Sequence, residues 1–212
     1  MLSNIIFYDI INYIINELIC RKRKERNMRN DIIEYLKKEV YSRAIKPDNK
    51  FGIGCYYHIE AVVKNAEILA KQFNADKEVT IIAAWLHDIA SITDYSLYED
   101  HHIHGAEIAE EILKKFDYNK IELVKKCIIN HRGSINNERT TVEEVCVADA
   151  DAISHFDSIP SLLHLAYAKR HMDIEEGKNF VRNKLERSYK KLSEQSKKFY
   201  LEKYQNAISL LS

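Results

Sequence analysis

Residues 79–90 decide the fold, and they read Val-Thr-Ile-Ile-Ala-Ala-Trp-Leu-His-Asp-Ile-Ala. A helix that is apolar around its whole circumference is a buried helix. His87 and Asp88 therefore enter the interior of the protein together with this stretch. Because an unpaired carboxylate is unstable in such an interior, Asp88 needs a charged partner or a metal ion. The stretch predicts a buried helix over residues 77–90 that carries a paired or metal-bound acid.

The rest of the composition favours helices over strands. The 212 residues include only 5 Gly and 2 Pro, which are too few turn-forming residues for a many-stranded sheet. Apolar residues at helical spacing predict an all-α fold, a single-domain bundle of many helices. We predict helices over residues 3–25, 30–45, 56–73, 77–90, 101–116, 119–131, 140–156, 158–171, 174–194 and 196–211, with a polar loop over 91–100.

The helices are grouped into three predicted segments: an amphipathic helical extension over 1–27, a central domain over 28–173 and C-terminal helices over 174–212 that pack on the same domain. Polar residues such as Asn4 and Asp9 interrupt the first apolar stretch, so we predict no transmembrane segment. The extension is interpreted as a packing or dimerising helix. A helix attached to a membrane surface and a true start at Met28 are the alternatives.

Charge and cysteine content narrow the class of protein. Lys+Arg and Asp+Glu are both 32, and this balance argues against a nucleic-acid binder that works by neutralising phosphates. The four cysteines form no C-x-x-C pair and are interpreted as reduced thiols in a cytoplasmic protein. Cys127 and Cys146 lie among apolar residues, which predicts that they are small core residues.

Three further predicted helices carry a histidine near one end, in line with apolar residues. His58 begins one helix on its apolar face, and His131 ends another on the same kind of face. In the helix over 101–116, His101 and His102 both share lines with apolar residues, so both face inward and either could face the site. Imidazoles that enter the interior from several helix ends predict one cavity on which those ends converge.

A second acidic pair interrupts the apolar run over residues 145–153. Asp149 and Asp151 lie two apart, so on a helix they point in roughly opposite directions and only one can serve the cavity directly. The second acid would orient a ligand, cap a neighbouring helix or bridge to a base. Neutral imidazoles with carboxylates suit Fe, Mn, Zn, Co or Ni. We predict a metal site between helix ends for one or two divalent transition-metal ions, with Asp88 able to bridge two.

The ordered set of His58, the dipeptide His87-Asp88 and Asp151 resembles the HD superfamily of metal-dependent phosphohydrolases. The similar phrases are residues 58–66, 83–90, 101–108, 128–132 and 148–153, so the resemblance covers most of the central segment, which it identifies as an HD domain. It implies an HD-type helical bundle with four primary metal ligands. Asp149 would support the last of these ligands without binding the metal itself, and His101 and His131 would complete a second metal position. The four implied ligands are His58, His87, Asp88 and Asp151.

Two positions depart from the family pattern. Ala90 stands where the family often has Gly, and Arg132 stands where a second histidine often follows the first. Arg132 is interpreted either as a phosphate clamp or as an exposed arginine at a helix end. His155 is interpreted as an acid, a base or a substrate contact, with plain packing as the alternative. Lys64 and the pair Lys169-Arg170 are interpreted as parts of a solvated face.

The resemblance implies a small stand-alone enzyme that hydrolyses a phosphate ester or anhydride of a nucleotide or similar small metabolite. Asp88, His101 and His131 are the residues we predict to take part in catalysis. We expect a small phosphorylated substrate and no nucleic acid as partner, and the terminal helices could support a homodimer. Two further functions stay open: a di-iron oxygenase on the same fold, and a nucleotide-binding sensor or assembly module without turnover.

Overall fold

The computed structural model describes residues 28–132 and 138–211. All regular structure in these two ranges is helical, and neither range contains a strand, which confirms the prediction of an all-α fold. The predicted helix over residues 3–25 lies outside the described residues. Of the described helices, none combines the length and the apolar character needed to cross a bilayer.

The helices lie close to the predicted ranges. We number them in chain order: α1 Asn30–Ala44, α2 Gly54–Phe73, α3 Lys77–Leu86, α4 Ile89–Thr93, α5 His101–Lys114, α6 Ile121–Asn130, α7 Val142–Asp157, α8 Ile159–His164, α9 Ile174–Lys191 and α10 Glu194–Ser209. A 3₁₀ turn covers Tyr95–Leu97, and a π-helical turn covers Leu165–Lys169.

Helix α3 lies at the centre of the compact unit that the chain forms from Ile32 onward. All residues from Val79 to Leu86 are buried, because α2, α6 and α7 pack around this helix. The Asp76 carboxylate starts the helix by accepting hydrogen bonds from the backbone N–H groups of Glu78 and Val79. The prediction of a buried helix is confirmed for these residues.

The long helices α2 and α7 pack against each other, and α9 and α10 pack on α7 from the C-terminal side. One apolar core joins these elements; it includes Val62 and Leu69 from α2, Ile153 from α7, and Val181 and Leu185 from α9. The residues of α9 that complete the core therefore come from the segment that follows the predicted central domain.

The end of the central helix differs from the prediction. Helix α3 ends at Leu86 rather than near residue 90, since Asp88 has φ −108° and ψ 14°, in the bridge region between helical and extended backbone. Helix α4 follows where we predicted the start of a polar loop. Ser91 and Ile92 are both buried, so the chain packs back onto the core before it leaves for the surface.

The segment predicted as one helix over 158–171 is also divided. Helix α8 gives way to the π-helical turn, in which the Arg170 N–H donates to the Leu165 carbonyl at 3.0 Å. His171 then takes a positive φ of 54°, which ends the helical run. Apolar periodicity does not distinguish a turn that is one residue wider from an ordinary helical turn, so this division could not be predicted from the sequence.

Glu144 fixes the junction between α6 and α7. Its buried carboxylate accepts hydrogen bonds from the Asn130 amide at 2.6 Å and from the hydroxyls of Thr140 at 3.1 Å and Thr141 at 3.0 Å. Burial by itself raises the pKa of Glu144, but these hydrogen bonds bring the pKa below its ordinary value. Since Asn130 precedes His131 directly, this acid also holds the end of α6 in place.

Replacing Glu144 by glutamine is expected to lower the free energy of unfolding at neutral pH by about 1–2 kcal/mol, since hydrogen bonds to a charged group are stronger than neutral ones. The pKa of Glu144 is lower in the folded than in the unfolded protein, so its stabilisation is fully present above the unfolded pKa. It is lost as pH falls through the folded pKa. Urea unfolding at neutral and acidic pH measures both effects, with the exposed Glu138→Gln as matched control. A difference from wild type that persists unchanged into acid contradicts the assignment.

Candidate metal centre

Asp88 lies between two pairs of imidazoles, one at each carboxylate oxygen. Its Oδ2 is 3.4 Å from His87 Nε2 and 3.9 Å from His58 Nε2. Its Oδ1 is 3.4 Å from His101 Nε2 and 3.8 Å from His131 Nε2. The four histidines come from the start of α2, the break after α3, the start of α5 and the end of α6. The structure thus brings helix ends together around one acid.

A common hydrogen-bond pattern fixes the direction of these rings. In three of them Nδ1 lies 2.6–2.7 Å from a backbone carbonyl three residues earlier: His87 with Ala84, His101 with Tyr98, and His131 with Ile128. A carbonyl oxygen can only accept, so Nδ1 carries the proton in each ring. Nε2 of the neutral imidazole then presents a lone pair to the centre, which is the usual arrangement of a histidine that binds a metal.

His58 is oriented by a serine instead of a carbonyl. The Ser154 hydroxyl donates to the Asp151 carbonyl at 2.6 Å, so its oxygen accepts from His58 Nδ1 at 3.0 Å. His58 Nε2 then also carries a lone pair, and it lies 3.3 Å from Asp151 Oδ1.

The donor atoms of this cluster fit a divalent transition-metal ion. His101 Nε2 and His131 Nε2 are 3.3 Å apart and face each other with lone pairs, and both face the Asp88 carboxylate. His87 Nε2 is buried and has no hydrogen-bond partner in the described part of the chain. Neutral imidazoles in this arrangement repel one another and the carboxylate, and a metal cation among the atoms removes that repulsion. Imidazole nitrogen with carboxylate oxygen is a ligand set that Fe, Mn, Zn, Co and Ni accept.

The possible ligand atoms form three groupings, in each of which all atoms lie within 4.8 Å of one another. Two of them share Asp88, which agrees with the expectation that this acid bridges two ions. Asp151 meets His58 in the third, together with His155, rather than joining His87 and Asp88 directly. The groupings are His58, His87 and Asp88; Asp88, His101 and His131; and His58, Asp151 and His155.

The electrostatics of the cluster favour deprotonated acids and, at His131, a neutral imidazole. Burial by itself raises the pKa of Asp88, but His87, His101 and His131 hold it well below its usual range. Burial likewise raises the pKa of Asp151, but Lys191, His58 and His155 together hold it well below its usual range. Burial lowers the pKa of His131 to about 3, with repulsion from His87 adding to the effect. The acids are therefore charged and His131 is neutral at physiological pH, as metal ligands must be.

A cavity of about 280 Å³ opens beside the cluster, with His58, Asp88 and His155 in its wall. Three cations that we had not predicted as site residues also line it: Arg170 from the end of the π-helical turn, and Lys184 and Arg187 from α9. Aromatic side chains, including Phe51 and Tyr98, form further parts of the wall. A larger and more open depression of about 590 Å³ lies elsewhere and contains none of the predicted site residues.

A model of the HD domain matches residues 55–155 of the chain, the range that contains the whole cluster. The protein contains an HD domain. The resemblance to the HD superfamily stated from the sequence is therefore confirmed. Which of this chain's residues bind metal stays a prediction, supported by the geometry above.

Two proteins of similar sequence and one of similar structure show how far the likeness to known proteins extends. An uncharacterized protein of Clostridium beijerinckii is 32% identical over 106 residues, which make up 48% of this chain and 66% of that protein. Ribonuclease Y of Staphylococcus epidermidis is 27% identical over 128 residues, 60% of this chain but only 22% of that protein. The crystal structure of a predicted HD superfamily hydrolase from an uncultured Thermotogales bacterium has a TM-score of 0.50 at 21% identity and covers 87% of this chain and 93% of its own, which shows a shared fold.

The structure decides between residues that the sequence could not distinguish. His101, not His102, belongs to the groupings around Asp88, although both are buried. Asp149 turns away from the cluster and caps α10, where it accepts hydrogen bonds from the Ser193 hydroxyl and, at 3.0 Å, from the Ser193 backbone N–H. Capping a neighbouring helix was one of the three roles expected for the acid outside the site.

Arg132 and His155 also have defined surroundings in the HD domain. The Arg132 guanidinium pairs with the backbone carbonyl and the carboxylate of Glu99, and it does not line the cavity. His155 stacks on His58 with ring centroids 4.8 Å apart, and its Nδ1 lies 3.2 Å from Ser188 Oγ. His155 does line the cavity, so it is placed to contact a bound molecule.

Lys169 and Arg170 are exposed, as expected for a solvated face, and Arg170 also lines the cavity. The C-terminal cations Lys184 and Arg187 were missed as site residues altogether. On a helix rich in charged residues they have the pattern of ordinary surface lysine and arginine. Their spacing of three places them on one face of α9, but only the packing of α9 on α7 reveals that this face borders the cavity.

Proposed function

We propose that this HD domain binds divalent metal ions and hydrolyses a phosphate ester or anhydride of a nucleotide or a similar small metabolite. The observation that carries the proposal is the position of Asp88, whose two oxygens face two pairs of imidazoles with their Nε2 atoms directed inward. A divalent cation among these atoms would compensate the charge of Asp88 and accept the inward lone pairs of the neutral imidazoles.

In this proposal His58, His87, Asp88 and Asp151 hold one ion, and Asp88, His101 and His131 hold a second. Divalent ions in such a site lower the pKa of water and polarise a phosphoryl oxygen. The backbone carbonyls and Ser154 keep the imidazoles in one orientation, so the ligands need no rearrangement when an ion arrives. Lys191 holds Asp151 Oδ2, which leaves Oδ1 directed at His58.

The cavity wall supports a small phosphorylated substrate. Its volume of about 280 Å³ suits one small molecule rather than a long polymer. Arg170, Lys184 and Arg187 supply positive charge, and guanidinium groups pair well with phosphate. Phe51 and Tyr98 offer ring faces against which a base could stack.

The proposal is tested on protein stripped of metal with a chelator and then loaded separately with Mn²⁺, Fe²⁺, Zn²⁺, Co²⁺ or Ni²⁺. Phosphate or pyrophosphate release is measured from a panel of nucleoside mono-, di- and triphosphates and sugar phosphates. We expect release from at least one member of the panel, only in the presence of a transition metal. Release that is unaffected by complete removal of metal contradicts the proposal.

A phosphodiester of RNA is the second candidate substrate, because ribonuclease Y proteins are among the relatives and match up to 60% of this chain. An end-labelled oligoribonucleotide added to the same panel separates the two candidates. Cleavage of the labelled oligoribonucleotide, with no phosphate released from the small phosphate compounds, favours RNA as the substrate.

A binding module and an oxygenase would each give a distinct result with the same preparation. Nucleotide binding without any release favours a sensor or assembly module. Two bound irons with a visible chromophore, and turnover that requires dioxygen, favour an oxygenase.

A further inference from the structure

The cavity beside the metal cluster has an excess of positive charge. Arg170, Lys184 and Arg187 line it, while Asp88 is the one carboxylate among the described residues of its wall. Lys184 and Arg187 lie three residues apart on α9 and so share a helix face. Any divalent ion bound by Asp88 and its imidazoles would increase the positive charge further.

Within the described part of the chain, no hydrogen bond or ion pair joins any of the three cations to an acid, although Lys184 lies within the electrostatic influence of Asp151 and Asp88. Lys184 and Arg187 have no hydrogen bond or ion pair with another described residue, in contrast to Lys191 on the same helix, which pairs with Asp151. The Arg170 guanidinium lies over the Phe180 ring at 4.8 Å, a contact that leaves its N–H edge available. Burial lowers the pKa of Lys184, so its ammonium would gain from a nearby anion.

This excess charge is greater than one phosphate group requires. The phosphoryl group that reacts would lie at the metal cluster, where the ions compensate its charge. Three additional cations in the same cavity can compensate further phosphates in the same molecule, because a cavity lined by one sign of charge concentrates ligands of the opposite sign.

On the basis of the proposed function, we propose that the substrate is a nucleoside polyphosphate. Arg170, Lys184 and Arg187 bind the phosphates that do not react, and the reacting phosphate lies at Asp88. These three residues therefore determine specificity by distinguishing a polyphosphate from a monophosphate, and they do not hold the metal.

The test measures affinity apart from turnover. Isothermal titration calorimetry on the Mn²⁺-loaded protein compares adenosine monophosphate, a methylene-bridged analogue of adenosine triphosphate, and inorganic tripolyphosphate. We expect wild type to bind the triphosphate analogue at least about tenfold more tightly than the monophosphate, equivalent to about 1.4 kcal/mol. Lys184→Gln and Arg187→Gln should each weaken triphosphate binding by about tenfold, with unchanged Mn²⁺ content and monophosphate affinity.

Lys190→Gln is the matched control, since Lys190 is exposed on the same helix and does not line the cavity. It should leave all three affinities unchanged, and Arg187→Lys should restore part of the triphosphate affinity that Arg187→Gln loses. The proposal is overturned if wild type shows no preference for the triphosphate, or if the glutamine variants weaken both nucleotides equally.

This experiment also distinguishes the two proposals. A clear triphosphate preference, with no phosphate release from any nucleotide, defeats hydrolysis and supports the polyphosphate site. Release from monophosphates in a protein without this preference supports hydrolysis and rejects the polyphosphate site.

Discussion

Asp88→Ala is expected to bind neither divalent ion and to lower phosphate release by about a thousandfold or more. Asp88 belongs both to the grouping with His58 and His87 and to the grouping with His101 and His131, so its removal takes a ligand from each predicted metal position. Bound ions stabilise a phosphoryl transition state by several kcal/mol, and each loss of about 1.4 kcal/mol lowers the rate tenfold. The four imidazoles would then face one another with no carboxylate among them.

Metal content after dialysis, measured by elemental analysis, and phosphate release are the two measurements for this variant. Asp48→Ala is the matched control, because Asp48 is exposed and no grouping of possible ligands includes it. A melting experiment establishes that Asp88→Ala is folded. A folded Asp88→Ala protein that keeps its metal and full activity would rule out the assigned centre.

His101→Ala is expected to remove one ion and leave the second in place. His101 approaches Asp88 Oδ1, while His58 and His87 approach Oδ2, so the first metal position keeps its imidazoles in this variant. If wild type binds two Mn²⁺ per chain, His101→Ala should bind one. We expect activity to fall by about 10²-fold or more, as the loss of a group that stabilises charge in a transition state usually gives.

Elemental analysis of the loaded proteins gives the number of ions per chain. His104→Ala is the matched control, because His104 lies on the same helix but is partly exposed and pairs with Glu107 rather than with Asp88. His131→Ala should resemble His101→Ala. Full occupancy of both positions in His101→Ala would show that this histidine is no ligand.

Much of the fold follows from patterns within single helices. The apolar run before His87 is stable in water only as a helix that other helices surround, and in the structure this helix lies at the centre of the bundle. The inward direction of His58 and His131 follows from the apolar residues one turn away in each helix. The opposite directions of Asp149 and Asp151 follow from their spacing alone. In each case the decisive information lies within one or two helical turns.

The features that could not be predicted depend on contacts between distant segments. The choice of His101 over His102 is decided by where α6 places His131, since both candidates are buried. The cations Lys184 and Arg187 have the sequence context of surface residues, and only the docking of α9 turns them toward the cavity. Helix α3 ends at Leu86 because the φ and ψ angles of Asp88, which belongs to the histidine cluster, lie outside the helical region.

The match to the HD family model ends at residue 155, yet Asp149 and Asp151 of α7 contact residues that lie more than 30 positions later in the chain. Asp151 pairs with Lys191, and Asp149 accepts from Ser193 at the head of the last helix. A shortened protein that stops soon after the matched region would lose the ion pair of Asp151 with Lys191 and the hydrogen bonds of Asp149 with Ser193, and it should be less stable than the whole chain. Any transfer of this HD domain to another protein therefore has to include the C-terminal helices.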